Sequence, residues 1–379
     1  MAGQHPRSLP QELQDSIVLL VNLTQDLRSC AFVSSSLLRV ARSLLFRNIE
    51  VNHPRTNTND PPTAAEDRAY TSMAFRRLGE VLISAPDVKG FIHSLTFAAN
   101  LDVVILLADM NLSSLAELNI LGNGVDALGG DLVEPLQRLI GIPSLRVIEL
   151  NINFSPQIFR FCGSDLTDLM FEDAEVVIPV DIPKLPDDAR RPAIAHLSLD
   201  NSSTTADWLI DPECPFTLTQ LVSVVLVASL SDSARLVIVS SRRTITDLTL
   251  SAEDLISAPL DLAQFPALTQ IQLCVSHICE MTHLLRSLSE LDGGNIIQTI
   301  TLELDPFDVD DLTPQVETNL IAFDSDFNKL PLPMLRQFLI LLLPPPKLGH
   351  EDDTTEAFHR ALPLLYRRFS GSSVWDVGD

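Results

Sequence analysis

An α/β fold of short parallel strands, each followed by a helical or irregular return, is what the sequence predicts. Two observations support it. One apolar pattern recurs along most of the 379 residues. In addition, 46% of the residues are hydrophobic and the mean hydropathy is +0.20, which excludes a wholly disordered chain. The composition therefore supports a folded chain built from repeated units.

The recurring pattern is apolar-x-x-apolar-x-apolar, and successive copies begin 21 to 38 residues apart. This spacing is typical of leucine-rich repeats, in which each unit adds one short strand to a curved parallel sheet. We therefore predict an irregular leucine-rich-repeat solenoid over residues 67–343. The ten copies are Ile92/Leu95/Phe97, Leu115/Leu118/Ile120, Leu145/Ile148/Leu150, Leu166/Leu169/Phe171, Ile194/Leu197/Leu199, Leu221/Val224/Leu226, Ile245/Leu248/Leu250, Leu268/Ile271/Leu273, Ile297/Ile300/Leu302 and Leu335/Phe338/Ile340.

A polar ladder inside the repeats is predicted only in part. Asn123 and Asn153 each lie three residues after the last apolar position of a copy, where an amide side chain can bond to neighbouring turns. Elsewhere this position holds Ser202, Ser229, Glu253 or Ser276. The repeats should therefore be uneven.

The segments between the copies predict helices and loops. Residues 67–84 should form a helix that Pro86 ends, and residues 207–210 a shorter turn. Apolar stripes predict two more helices, whose members are Leu132, Leu136, Leu139 and Ile140, and Leu284, Leu285, Leu288 and Leu291. The proline-rich residues 176–192 should form a protruding loop.

Residues 1–51 predict a head of three short helices. Ser8 and Pro10 provide a helix start, and helices are expected over about residues 10–21, 26–33 and 37–45, with a turn at 22–25. Residues 52–66 are a predicted linker. Residues 344–379 should form a C-terminal helical cap and tail, with Pro363 interrupting the helix and residues 370–379 frayed.

The head resembles an F-box. The resemblance is carried by Leu-Pro-x-Glu-Leu at residues 9–13, Ile17, Cys-Ala-x-Val at 30–33 and Leu-Leu-Phe-Arg-Asn-Ile at 44–49. Together with the repeats, Trp-Leu-Ile at residues 208–210 and Leu-Pro-Leu-Leu at 362–365, nearly the whole chain resembles the expanded F-box/leucine-rich-repeat proteins of mushroom-forming fungi. This resemblance implies that the head binds a Skp-type adaptor, and through it a cullin, while the repeats hold an unknown protein substrate for ubiquitination. The adaptor-binding residues it implies are Leu9, Pro10, Glu12, Leu13, Ile17, Val33 and Leu37.

A second hypothesis stays open, in which the chain is a stand-alone leucine-rich-repeat scaffold whose degenerate F-box only caps the repeats. It fits one departure from the family pattern. Where the family usually has Val-Cys-x-x-Trp, this chain has Val33-Ser34-Ser35-Ser36-Leu37 and lacks the tryptophan. An adaptor-binding head must leave an apolar face exposed, whereas a cap must bury it.

Charge and cysteine content restrict the partners and the compartment. The formal net charge of −24 disfavours binding to phosphate backbones, so no nucleic-acid partner is expected. The five cysteines are scattered and odd in number, and no leader precedes the head, which predicts a reducing compartment, cytoplasmic or nuclear. No apolar run approaches the length of a membrane span, so no membrane partner is predicted.

No catalytic motif is apparent in the sequence, and we predict a protein that is not an enzyme and needs no cofactor. Cys274, His277, Cys279 and His283 could ligate zinc, but their spacing does not match the usual zinc motifs. Acidic residues at 303, 305, 308, 310 and 311 lack the glycine of a calcium-binding loop, and a solvated loop is the favoured interpretation. If the cluster lay on the concave face, it could instead receive lysine or arginine from a substrate.

Overall fold

The computed structural model describes residues 24–33, 35–51, 64–99, 101–122, 130–177, 191–227, 231–257, 260–276, 280–291, 294–304, 314–342, 360–369 and 375–377. The chain forms two compact units. The first comprises Met1–Leu166 and Val176–Pro192, and the second comprises Thr167–Glu175 and Ala193–Asp379.

Among its described residues, the first unit contains four parallel strands that pair in chain order: β1 (Asn48–Val51), β2 (Ser94–Ala98), β3 (Glu117–Leu121) and β4 (Val147–Asn151). Helices α1 (Thr24–Val33) and α2 (Ser35–Leu45) precede the sheet. The returns contain α3 (Ala64–Ser84), α4 (Leu101–Asp109) and α5 (Val133–Ile140), with 3-10 turns at Pro86–Phe91, Gly130–Leu132 and Pro156–Phe159.

The described part of the second unit contains eight parallel strands, which also pair in chain order. They are β5 (Asp168–Glu172), β6 (His196–Asp200), β7 (Ser223–Val227), β8 (Asp247–Ser251), β9 (Gln270–Val275), β10 (Thr299–Leu304), β11 (Gln337–Leu342) and β12 (Trp375–Val377). The helices of the unit are α6 (Ser203–Leu209), α7 (Asp232–Ser240), α8 (Ala252–Ser257), α9 (Met281–Ser289), α10 (Pro314–Phe327) and α11 (Pro363–Phe369), and Leu262–Gln264 forms a 3-10 turn.

One backbone contact recurs between successive strands in each unit. Just before a strand begins, a single carbonyl accepts hydrogen bonds from two consecutive amides of the next repeat. In the first unit the Arg47 carbonyl accepts from His93 and Ser94, at 2.9 and 3.0 Å. In the second unit the Thr167 carbonyl accepts from Ala195 and His196, at 2.8 and 3.1 Å. Each repeat is therefore held at a fixed register on the one before it.

The core of each unit is formed by the apolar triplets. Their residues point to one side of the sheet because alternate side chains of a strand face opposite sides. Leu118, Ile148, Leu248 and Phe338 are among the members that are fully buried. Aromatic rings fill both units: Phe75 on α3 meets Phe97 on β2 edge to face, with 5.4 Å between ring centroids, and Phe327 meets Phe338 at 4.8 Å.

The repeats predicted from the apolar triplets are confirmed. Every one of the ten triplets contributes its last two apolar residues to a strand, from β2 to β11. Parallel strands that pair in chain order, with helices or irregular returns between them, are a leucine-rich-repeat α/β fold. The sheet pattern of the chain itself therefore supports this assignment.

Two strands, β1 and β12, are not predicted by the apolar triplets. β1 lies within the predicted head and pairs with β2, but its four residues carry no complete triplet. The prediction that residues 370–379 fray is wrong for Trp375–Val377, which forms β12 and pairs with β11. A strand this short has a weak sequence signal, and pairing with an already ordered neighbour fixes its backbone.

The predicted helices agree with the structure in type and differ at their ends. α1 begins at Thr24, inside the predicted turn, and Asp26 places an acidic side chain at the positive end of its helix dipole. α3 begins at Ala64, three residues before the predicted start at residue 67, and ends at Ser84 as expected. The first predicted head helix, most of the linker, most of the 176–192 loop and the segment 344–359 lie outside the described residues.

Several return helices were not predicted, namely α4, α7, α8 and α10. The two predicted stripes are confirmed on α5 and α9, where Leu136, Leu139, Leu284 and Leu288 are buried. The ladder was predicted at the asparagines and not at Ser202, yet Ser202 bonds the neighbouring backbone: its Oγ accepts from the Ala174 amide at 3.1 Å and donates to the Asp200 carbonyl at 2.7 Å. Asn123 and Ser229 lie outside the described residues.

A buried carboxylate on α10 accepts hydrogen bonds from the C-terminal helix α11. Asp324 on α10 is 2% exposed, and its two oxygens accept from the amides of Leu364 and Leu365, each at 2.8 Å. These amides lie in the first turn of α11, where a helix has no internal acceptors for them. Pro363 begins α11, as its missing N–H permits. This agrees with the prediction that Pro363 interrupts the C-terminal helix.

Two adjacent valines on β7 test which side of the strand faces the core. Val224 is fully buried, whereas Val225 is partly exposed on the opposite side. We expect Val224→Ala to lower the free energy of unfolding by about 2 kcal/mol, through lost burial and a residual cavity, and Val225→Ala by less than about 1 kcal/mol. Denaturant unfolding of the full chain measures both. Equal losses, or a larger loss for Val225→Ala, would contradict the orientation of this strand.

Candidate protein-binding face

Strands β5 to β11 of the second unit present a second set of side chains on the side opposite the core. We call this surface the open face. Its residues alternate with the buried ones along each strand, and the pairing register places them in three rows across the sheet. The rows are Asp168, His196, Ser223, Asp247, Gln270, Thr299 and Gln337; then Met170, Ser198, Val225, Thr249, Gln272, Thr301 and Leu339; then Glu172, Asp200, Val227, Ser251, Cys274, Glu303 and Leu341.

The open face keeps access to solvent over most of its area. Met170 and Glu172 are exposed at one edge, and Gln270 is exposed further along, while most of the other members are partly exposed. Ser251 and Thr301 are the buried exceptions. The open face is more exposed than the core side of the sheet because the helices pack on the apolar triplets. Among the described residues, the other side of the strands is left uncovered.

Carboxylates dominate the charge of the open face. Five of its positions hold an acidic residue, namely Asp168, Glu172, Asp200, Asp247 and Glu303. No position in the three rows holds lysine or arginine. His196 is the one side chain of these rows that can become a cation, and its Nε2 lies 4.0 Å from Oδ1 of Asp168. The described open face therefore carries negative charge with almost no internal compensation.

The carboxylates at the N-terminal ends of the strands have local donors. The Thr167 hydroxyl donates to Asp168, and the Thr246 hydroxyl donates to Asp247 at 2.5 Å. Each donor is the residue that directly precedes its acceptor. These two carboxylates are thus partly satisfied by the residue that precedes each strand.

Three carboxylates meet at the other ends of β5 and β6. Burial raises the pKa of Asp200, and the negative charges of Glu172 and Asp173 raise it further. Asp173 and Asn201 follow their strands in the left-handed backbone region, at φ 49° and 47°. The Asn201 side-chain amide donates to Asp173 at 2.7 Å, which fixes the turn between the strand ends.

A second acidic position lies four strands away, where Glu303 on β10 accepts two hydrogen bonds from β9. Its Oε2 lies 2.9 Å from Nε2 of Gln272 and 3.1 Å from Sγ of Cys274. Burial raises the pKa of the Cys274 thiol to about 12, with further increases from its hydrogen bond to Glu303 and from the charges of Glu303 and Asp200. The thiol is therefore a protonated donor at neutral pH, and it holds the carboxylate in place.

Most of the predicted adaptor-binding residues lie outside the described chain. Leu9, Pro10, Glu12, Leu13 and Ile17 are among these. Val33 ends α1, and Leu37 lies on α2, where its partly buried side chain packs on a small core of Leu27 and Ala41. The adaptor-binding set therefore stays a prediction.

The metal-site interpretations fall partly outside the described residues as well. His277 and Cys279 are not described, and within the described residues no group of three or more His, Cys, Asp or Glu side chains is arranged so that it could hold a metal ion. The prediction of a solvated loop is wrong for Glu303, which lies on β10 because its strand extends to Leu304. The other four members of that acidic cluster lie outside the described residues.

The open face was not identified as a unit from the sequence. The apolar triplets marked the core side, and the residues between them received no role. A signal was nevertheless present, because the x between the last two apolar positions of a triplet must point away from the core. That position and the residues two before and two after it in each strand are the three rows of the open face.

Comparison with known proteins finds similar solved structures but no matching family. No protein-family model matches the chain, and no curated protein matches it. A leucine-rich repeat-containing protein, LegL7 from Legionella pneumophila, shares 14% sequence identity, with 83% of this chain and 98% of that chain covered and a TM-score of 0.40. Across the part of the chain that is described, no helix is long and apolar enough to cross a membrane.

The state of Cys274 gives a testable consequence. The thiolate is the reactive form, so a thiol with a pKa of about 12 should be alkylated slowly at pH 8, more than about 100-fold slower than an exposed cysteine. Glu303→Gln removes a nearby negative charge and should speed the reaction several-fold. The measurement is the iodoacetamide rate in a variant whose other four cysteines are alanine. Glu253→Gln on α8 is the control, and an equal change in both variants would contradict the role given to Glu303.

Proposed function

We propose that this chain is a protein-binding scaffold that holds a target on the open face of its second unit, and that it serves as the substrate-recognition subunit of a Skp-cullin-F-box type ubiquitin ligase. The observation that carries the scaffold role is the open face itself. Seven adjacent strands present ordered, solvent-accessible side chains of mixed chemistry on one side. A rigid sheet of this kind needs little reorganisation to bind a protein.

The ligase role is supported by the head. α1 and α2 occupy the segments in which the F-box resemblance places its second and third helices. Their shared core is small, and Cys30, Val40, Leu44 and Leu45 on it remain partly exposed. A head with so small a core gains stability from covering that apolar surface, and a Skp-type adaptor is the partner proposed to do so.

In this proposal the chain performs no chemistry. It acts by proximity, because a bound target is held near the ubiquitin-conjugating machinery that the cullin recruits. The site of action is then cytoplasmic or nuclear. The acidic surface is expected to exclude nucleic acid as the target.

A stand-alone scaffold is the second candidate, and one observation favours it. α2 packs against the 3-10 turn Pro86–Phe91 of the first unit, and Nη1 of Arg42 lies 3.9 Å from Oδ2 of Asp87. The chain then continues directly from α2 into β1, so this part of the head is tied to the sheet. A helix fixed in this way could serve as a cap for the first repeat.

Co-purification with a Skp-type adaptor separates the two candidates. We expect the full chain to form a stoichiometric complex at micromolar concentration, and Leu13→Asp to abolish it, because a charge at an apolar docking position costs several kcal/mol when buried. Ile83→Asp on α3 is the matched control. Ile83 is 78% exposed, so its substitution should leave the complex intact.

Circular dichroism must show that both variants stay folded. A wild-type chain that never binds the adaptor would contradict the ligase role and leave the stand-alone scaffold. Loss of the complex in both variants would show that the effect is not specific to the head.

A further inference from the structure

The partner that the open face can accept is restricted by its charge. Glu172 and Asp200 neighbour each other on β5 and β6, and Asp173 lies beside them. Among the described residues no side chain donates a hydrogen bond to Glu172 or Asp200 or forms an ion pair with either. Two adjacent carboxylates without a counter-charge repel each other, and a cationic group brought to them would relieve that repulsion.

The second acidic position, Glu303, has hydrogen-bond donors but also keeps a negative charge that a cationic group could neutralise. Glu303 is oriented by Gln272 and by the Cys274 thiol, both neutral donors, so the full negative charge of its carboxylate remains. A carboxylate that is already oriented loses little side-chain entropy when it binds a cation.

The region between the two acidic positions is less polar. Val225 and Val227 lie on β7, and Thr249 and Ser251 follow on β8. The backbones of Asp200 and Glu303 are four strands apart, which corresponds to about 19 Å along the sheet at about 4.8 Å per strand, or about six residues of an extended chain. A peptide with basic side chains at both ends and a small apolar side chain between them matches this layout.

We propose that the open face of the second unit binds an extended, lysine- or arginine-rich segment of a protein, with its basic side chains at Glu172 and Asp200 on one side and at Glu303 on the other. This inference rests on the proposed scaffold function and names its partner chemistry. The neutral and acidic surface repels phosphate groups, which separates a basic protein segment from nucleic acid. For a ligase subunit, such a segment would also supply lysines to the modifying enzyme.

The test is the fluorescence anisotropy of a labelled ten-residue peptide that has a Lys-Arg pair near each end and Ser-Val-Ser-Val between them. The full chain should bind it, and binding should weaken as salt rises from about 50 to about 300 mM because exposed charges are screened. A variant with Glu172→Gln, Asp200→Asn and Glu303→Gln should bind about tenfold more weakly or worse.

The matched control removes the same number of charges from the returns of the same unit, with Glu213→Gln, Glu253→Gln and Glu290→Gln, all at exposed positions. Its affinity should stay within about twofold of wild type. Equal weakening in both variants would show that general acidity is responsible and would overturn the proposal. So would a wild-type chain that fails to bind, or one that binds a peptide with Glu and Asp in place of Lys and Arg equally well.

Adaptor binding by the head and peptide binding by the open face can be contradicted independently of each other. The open-face variant should still co-purify with the adaptor, because its substitutions lie in the second unit and the head lies in the first. An intact adaptor complex without peptide binding would remove the basic partner only. Peptide binding without an adaptor complex would remove the ligase role and keep the open face.

Discussion

The burial of one apolar triplet per repeat determines how the strands stack and which side chains they expose. A single repeat cannot shield its own triplet, so each strand must stack on a neighbour to remove that surface from water. Stacking fixes the strand register, and the register is reinforced by the carbonyls, such as those of Arg47 and Thr167, that accept two amides from the next repeat. Once the buried side of each strand is fixed, the alternation of the backbone fixes the other side as well. The open face is therefore a consequence of how the core packs.

The chemistry of the open face is free to vary for the same reason. A substitution at Val224 changes the core, whereas one at Val225 changes only the surface. In this chain the variable positions hold carboxylates, small polar residues and a few apolar side chains. Local donors satisfy Asp168 and Asp247, and neutral donors orient Glu303, but Glu172 and Asp200 remain close together. An arrangement that costs electrostatic free energy in the isolated chain favours a cationic partner.

Much of the fold could be predicted from the sequence because the apolar triplet recurs ten times, which is more often than chance would give. Leu118 and Ile120 on β3, and their counterparts up to Phe338 and Ile340 on β11, lie where the pattern placed them. β1 and β12 could not be predicted, because a strand of three or four residues is ordered mainly by pairing with its neighbour. The return helices α7 and α10 were missed since their apolar residues are mixed with polar ones and packing decides their conformation. Asp324 was missed because its partners, Leu364 and Leu365, are forty residues away in the sequence.

Mapping the site at which a basic peptide attaches shows whether the open face is the binding surface. The ten-residue peptide, carrying a photoreactive group in place of one central serine, would be cross-linked to the full chain and the attachment sites identified by mass spectrometry. We expect attachment at open-face residues of β6 to β9, between Asp200 and Glu303, and competition by unlabelled peptide. Attachment that concentrates on the return helices of the second unit, or anywhere in the first unit, would contradict the proposal.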